Sequence, residues 1–360
     1  MSGKHPYIKE ISGEQRRQLI DARQVFEAYE LARGEFRIRY EGSMRWGERA
    51  GAEYLLYKRG RSEKSLGAYS AETETIYQNF LNGRETGKKR LEKLSARMDE
   101  LARINVAMEI ARVPLLTARI IRRLSDARLL GGHLFVIGTN ALYAYEASAG
   151  AFIESSMLAT GDADLLMDAR RRLGLAFDSV KREGIIGLLQ KVDKSFTTRG
   201  GIDYHAVNSE GFFVDLIRPE DGKILNEKKR ERIGDGNFDL CATPIKGLNW
   251  LINAPKFSAI AIDEKGYPLR IETIDPRIFA LHKAWVSEQQ GRDPLKVTRD
   301  RAQAEAIAFM STHYLNLSFH GSDLSALPAE LRAKSDGLLQ SFHEKNTPLN
   351  KINEIPTPKW

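Results

Sequence analysis

Asp162 and Asp164 stand two residues apart in TGDADLLM (160–167), inside a short apolar stretch. On a strand, residues two apart point the same way. Two carboxylates on one face repel each other unless water, a base or a metal lies between them. The pair is therefore either an exposed loop or a device for holding a cation. Asp215, in FFVDLIRP, is flanked by Phe213, Val214, Leu216 and Ile217. A charge in so apolar a strand is costly unless it is paired, ligates a metal or faces water from an edge. FVIGTNAL (135–142) adds an apolar strand ending on Gly138, with Thr139 opening a helix. A glycine there lets a phosphate approach the backbone, and helix-start N–H groups can receive it. The same residues also describe an ordinary strand–helix joint.

The elements around these residues follow from periodicity and punctuation. Ser12 and Gln15 form a capping box before the apolar stripe Leu19, Ile20, Val25, Phe26 and Tyr29, and Gly34 is expected to end that helix. EFRIRYEGSMRWGERAGAEYLLYKRG alternates as a twisted antiparallel unit, and KSLGAYSAETE reads as a polar loop. Residues 72–130 read as helical, interrupted near Gly83 and Gly87, with Arg119, Arg122 and Arg123 on one face. HLFVIG and TGDADLLM read as strands, ARRRLGLAFDSVKREG as a helix, and IDYHAVN with GFFVDLIRP as a strand pair. Strands and turns, WLINAP and SAIAIDEKGYPLRIET among them, continue to about residue 275. Helices resume at Pro276, and TPLNKINEIPTPKW is a tail.

The expected class is α+β. Its parts are a basic N-terminal helix and β-hairpin arm (1–130), a central mixed sheet with flanking helices (131–275), a helical domain (276–345) and a tail (346–360). Hydrophobic residues make up 42% and charged residues 29%, as in an ordinary globular chain. Cys241 is the one cysteine, which excludes a disulfide framework and a cysteine-rich zinc site. With no apolar leader and no run long enough to span a bilayer, a cytoplasmic protein is expected. Residues 1–130 carry 26 Lys and Arg against 18 Asp and Glu, whereas residues 131–275 carry 18 against 21. An acidic centre beside a basic arm suits a metal site acting on a polyanion; solubility of the helices accounts for the same charge. The seven histidines show no H-x-x-x-H or H-E-x-x-H spacing, and neither G-x-S-x-G nor a complete phosphate-binding P-loop occurs. These absences weigh against a zinc hydrolase, a serine triad and a P-loop enzyme.

Taken together, the strand ending in G-T, the D-x-D and the third aspartate resemble the DNA polymerase beta-like nucleotidyltransferase superfamily. GSMRWGERAGAEYLLYKRGRSEKSLGAYSAETE (42–74), DPRIFALHKAWVSEQ (275–289) and KVTRDRAQA (296–304) extend the resemblance, toward a bacterial branch of that fold, to about residue 310. The resemblance implies a palm-like sheet and transfer of a nucleoside monophosphate from a nucleoside triphosphate to a hydroxyl acceptor. It implies that Asp162, Asp164 and Asp215 hold two Mg2+ ions, that Asp215 helps deprotonate the acceptor, and that Gly138 and Thr139 seat the triphosphate. Related enzymes place a basic residue facing the triphosphate on the first helix after the palm, a role that falls to Lys283; a solvated lysine is the alternative. His282 is expected to pack or face solvent. Lys296 and Asp300, four apart, are expected to pair across a helical turn. The spacing of 24 residues from Gly138 to Asp162 exceeds the common one, so an insertion or a longer helix must fit between them. Thr139 replaces the usual serine and keeps a hydroxyl. The basic arm makes RNA, such as a tRNA end, the expected acceptor. A catalytically silent module binding nucleic acid or protein, and a transferase acting on a small molecule, stay open.

Overall fold

The structure, a computed structural model, describes residues 5–49, 51–168, 170, 178–198, 204–220, 231–234, 239–320, 324–325 and 327–345. Chain contacts divide it into two units, one of residues 1–12, 112–261 and 269–360, the other of residues 13–111 and 262–268. The short strand β1 (Ile8–Glu10) belongs to the first unit.

The second unit is a helical hairpin with a small sheet. Its elements are α1 (Gly13–Arg39), β2 (Ser43–Arg49), β3 (Ala52–Arg59), β4 (Ser62–Ala68) and α2 (Ala71–Ala107). Several expectations are corrected here. Helix α1 runs through Gly34 to Arg39, so EFRIR is helical and not part of the antiparallel unit, and α2 runs unbroken through Gly83 and Gly87. An isolated helical glycine costs only about 1 kcal/mol, which packing can offset. At Gly83 and Gly87 the packing is visible. A methyl group there would lie 2.3 Å from the Tyr40 hydroxyl and 2.9 Å from the Phe36 ring, so the bare backbone is what lets the two helices meet. Ser70 and Thr73 cap α2 reciprocally. The expected polar loop at KSLGAYS supplies the third strand, β4, paired antiparallel to β3. Trp46 packs edge-on to Tyr77, and Tyr57 to Phe80, seating the sheet on α2.

In the first unit, α3 (Leu115–Asp126) buries Ile120, Ile121 and Leu124, with Arg119 exposed. Then follow β5 (Leu134–Ile137), a single 3-10 turn at Gly138–Ala141, α4 (Leu142–Ala149), β6 (Ala151–Ile153) and β7 (Asp162–Met167). Helix α5 (Asp178–Gln190) realises part of the expected helix; residues 169 and 171–177 lie outside the described residues. The strands β8 (His205–Val207) and β9 (Phe213–Pro219) pair antiparallel as expected. After β10 (Glu231–Arg232) and β11 (Cys241–Ile245), the apolar WLIN lies in a helix, α6 (Leu248–Asn253), not in a strand. β12 (Lys256–Ile262) and β13 (Pro268–Ile274) form a separate hairpin. The helices α7 (Pro276–Ser287), α8 (Pro294–His313) and α9 (Ala329–Lys345) complete the described chain. Both α7 and α8 start on Asp-Pro: Asp275 and Asp293 accept the N–H two residues on, and the proline fills the first turn. The tail at 346–360 lies outside the described residues.

The central sheet runs β10-β11-β9-β7-β5, with β8 on the remaining part of β9. It is mixed: β7 and β11 run parallel to β9, whereas β5 and β8 run antiparallel to their neighbours. The fold is thus mixed α+β. Its core joins the inner sheet residues Val136, Leu165, Val214 and Leu216 to Leu142, Ile278, Ile307 and Phe309 of the helices.

Candidate active site

One row of residues crosses four strands. Ile137 of β5 pairs with Asp164 of β7, Asp164 with Asp215 of β9, and Asp215 with His205 of β8. Asp162, two residues before Asp164, shares its face. The alternation confirms this: Asp162, Asp164 and Asp215 are half-buried, whereas Ala163 and Val214 between them are buried in the core. The three aspartates chosen from sequence therefore stand together at one end of β7 and β9.

Gly138 belongs to the same place. Its φ is +64°, and a Cβ there would lie 2.0 Å from Asp164 Oδ2. Only glycine satisfies both the backbone and the carboxylate. The long interval before Asp162 is taken up by α4, β6 and a further 3-10 turn at Ser155–Met157, while the antiparallel register returns Asp164 to the end of β5. Thr139 is buried, and its hydroxyl accepts from Gln303 Nε2 of α8 at 3.4 Å; Gln303 also donates to the Met157 carbonyl at 2.7 Å. Asn140, buried beside it, donates from Nδ2 to the Asp162 carbonyl at 2.7 Å and fixes the start of β7. The Thr160 hydroxyl donates to Asp162 Oδ1.

Charge repulsion is written into this cluster. Burial, then the charges of Asp162 and Asp215, push the Asp164 carboxyl up to about 7. Burial also raises Asp215, against the pull of His205, whose Nδ1 lies 2.7 Å from Asp215 Oδ1. Opposing charge comes from the C-terminal helices: Lys283 and Lys296 act on Asp164, and Lys296 on Asp215. Lys283 is mostly buried, and its Nζ is held 2.7 Å from Asp300 Oδ1. Arg292 Nε binds the other Asp300 oxygen at 2.9 Å. Burial pushes Asp300 up, but these two cations outweigh it and hold it below the usual carboxylate range. The expected Lys296–Asp300 pair is thus corrected: α7 and Arg292 supply the partners of Asp300, and Lys296 stays exposed. His282 is a packing residue, set between Trp250 and Trp285, and burial lowers it to about 3.

A family model described as nucleotidyltransferase matches residues 116–328. The chain belongs to that nucleotidyltransferase family. The matched region runs from α3 past α8 and holds every residue of the site. No curated protein and no solved structure matches the chain. Nucleotidyl transfer is the general activity that family membership supports. No helix among the described residues is long and apolar enough to cross a membrane.

The donors suit a hard divalent cation in kind, being carboxylate oxygens crowded on one face around a carboxyl whose ionisation is resisted. In arrangement they stop short of a closed set: among the described residues, no three His, Cys, Asp or Glu side chains are grouped to hold a metal ion. Thr160 and His205 each engage one oxygen of their carboxylates, which leaves a second acceptor on each.

His205, Asn140, Lys296 and Gln303 were not legible as site residues. His205 sits in IDYHAVN, three residues before Asn208 opens the turn that returns the chain to Phe213. Only the register of that hairpin, His205 opposite Asp215, could have marked it.

Proposed function

We propose that the protein is a magnesium-dependent transferase that moves a nucleoside monophosphate from a nucleoside triphosphate to a hydroxyl acceptor, and that the acceptor is RNA. The observation that carries this reading is the alignment of Asp164 with Asp215 across two parallel strands, with Asp162 on the same face and Gly138 against Asp164. In this reading the central sheet is a polymerase beta-like palm. Asp162, Asp164 and Asp215 would hold two Mg2+ ions, which supply neutralisation of the phosphate oxygens and acidification of the acceptor hydroxyl. Gly138 clears backbone space for the triphosphate, and Thr139 keeps that turn in place through Gln303. Lys283, oriented by Asp300, and Lys296 face the carboxylates and balance the triphosphate charge. The acceptor oxygen forms a bond to the α-phosphorus as the bond to the β-phosphate oxygen breaks. Pyrophosphate leaves, and the hydroxyl proton passes to Asp215.

One observation favours a second reading, a silent member of the family that binds without turnover: among the described residues, the acidic side chains, as placed, do not form a three-donor set. The two readings part on a direct test. The protein is incubated with magnesium, each α-labelled nucleoside triphosphate in turn, and cellular RNA or protein. Labelling that disappears in Asp162→Ala supports transfer; equal labelling by that variant ends the assignment. Magnesium-dependent triphosphate binding without labelling supports the silent module.

A further inference from the structure

The helical hairpin of the second unit carries a cleft of about 420 Å3, lined by α1 and its last turn on one side and α2 on the other. Its floor is aromatic: Phe36 and Tyr40, with ring centres 6.1 Å apart, rest on the bare backbone of Gly87 and Gly83 and remain half-exposed. Its rim is polar and cationic, with Arg39 from α1 and Asn79, Asn82 and Arg90 from α2, all exposed. Arg90 reaches Glu35 at 3.3 Å, but both partners are more than half exposed, so this pair hardly competes with a ligand. Lys93 and Arg97 follow Arg90 at three and seven residues, extending the cationic edge of α2 by two turns.

The charged residues lining the cleft are Arg39, Arg90 and Glu35, and positive charge is concentrated in the chain segments that flank it. Residues 33–64 and 84–97 carry 15 Lys and Arg against 7 Asp and Glu, whereas the rest of residues 13–111 carries 4 against 9. Two packed helices need small residues at their crossing; they do not need a ring of arginine and asparagine around exposed aromatic rings. A cavity of this size admits one planar, drug-sized group. Its amide side chains offer both donors and acceptors, and the positive field runs on past the cavity along α2. A small anion would have no use for the aromatic floor, and a duplex keeps its bases stacked out of reach.

We propose that this cleft binds single-stranded nucleic acid, taking one unpaired base onto Tyr40 and Phe36. Asn79 and Asn82 meet the base edge, while Arg39, Arg90, Lys93 and Arg97 track the phosphates. The site lies wholly outside the matched family region. It deepens the reading that the acceptor is RNA and rests on that reading only for its biological use.

The test is fluorescence anisotropy with a labelled oligouridylate of about twelve nucleotides, the full chain, chelator present and no nucleoside triphosphate. The expected result is binding that weakens roughly 50-fold between about 50 and 200 mM salt, as about four phosphate contacts predict. Tyr40→Leu weakens it about tenfold. Arg39→Glu combined with Arg90→Glu, both on the surface, weakens it at least as much and flattens the salt dependence, which keeps the test open if Tyr40→Leu fails to fold. No salt-dependent binding, full binding by the charge-reversed pair, or equal competition by an RNA duplex overturns the proposal. Oligonucleotide binding without nucleotidyl labelling upholds the cleft while removing the transfer reading; labelling without binding does the reverse.

Discussion

Gly138 and Asp164 compete for the same space: a single methyl group on the glycine would lie 2.0 Å from the aspartate's Oδ2. At φ +64° the same substitution also forces an L-residue into the left-handed region, at about 1–2 kcal/mol. Gly138→Ala is therefore expected to lower stability by that amount and to abolish nucleotidyl transfer by displacing Asp164. Gly132→Ala, with open space around it, is the control and is expected to leave both unchanged. Urea denaturation and labelling of the two variants check this; an active Gly138→Ala protein would show that Asp164 tolerates displacement.

The raised Asp164 carboxyl makes stability depend on pH in a defined direction. The folded protein keeps this proton up to about 7, whereas the unfolded chain loses it near the ordinary aspartate value of 3.8. Between those values the folded state binds more protons, so Asp164 lowers stability as pH rises through that window. Asp164→Asn removes the penalty. It is expected to match the native chain at pH 4 and to exceed it at pH 8 by on the order of 2–4 kcal/mol. Magnesium should raise the melting temperature of the native chain at pH 8 and not that of Asp164→Asn. Thermal scans with and without the ion measure both effects.

His205 holds Asp215 through a 2.7 Å contact on a neighbouring strand. Partners that orient a ligating group are worth about 10–100-fold in metal affinity or activity. His205→Ala is expected to lower kcat within that range and to raise the magnesium concentration needed for half-maximal rate. A shift in the magnesium requirement separates orientation of the carboxylate from general damage, since a partly unfolded sample loses rate without moving that midpoint.

Asp300 and Lys283 differ in what their loss leaves behind. Asp300→Ala strands two cations, Lys283 and Arg292, around a fully buried site, and is expected to cost about 3–5 kcal/mol. Lys283→Met leaves Asp300 still bound to Arg292 and should fold. Its effect is expected in the KM for the nucleoside triphosphate, raised about tenfold or more, as loss of a charged contact implies. Denaturation curves and steady-state kinetics on the pair decide whether Lys283 serves the substrate or the fold.

The sequence by itself determined the elements whose signals are local. Asp-Pro pairs set the starts of α7 and α8, apolar runs set β5, β7 and β9, and the two-residue spacing put Asp162 and Asp164 on one face. It also pointed to the trio of aspartates and Gly138, through their combined resemblance to nucleotidyltransferases rather than through any one of them alone. What it left undecided depends on register and on contact between distant segments. Gly34, Gly83 and Gly87 look like helix ends until Tyr40 and Phe36 are seen lying on the α2 glycines. Asp300 looks like the partner of Lys296 until α7 brings Lys283 to it. His205 meets Asp215 only because one hairpin register sets them opposite, and a one-residue slip would turn the histidine to the other face. Local preference amounts to tenths of a kcal/mol per residue, whereas burial and pairing contribute whole ones, so tertiary structure chose the partners.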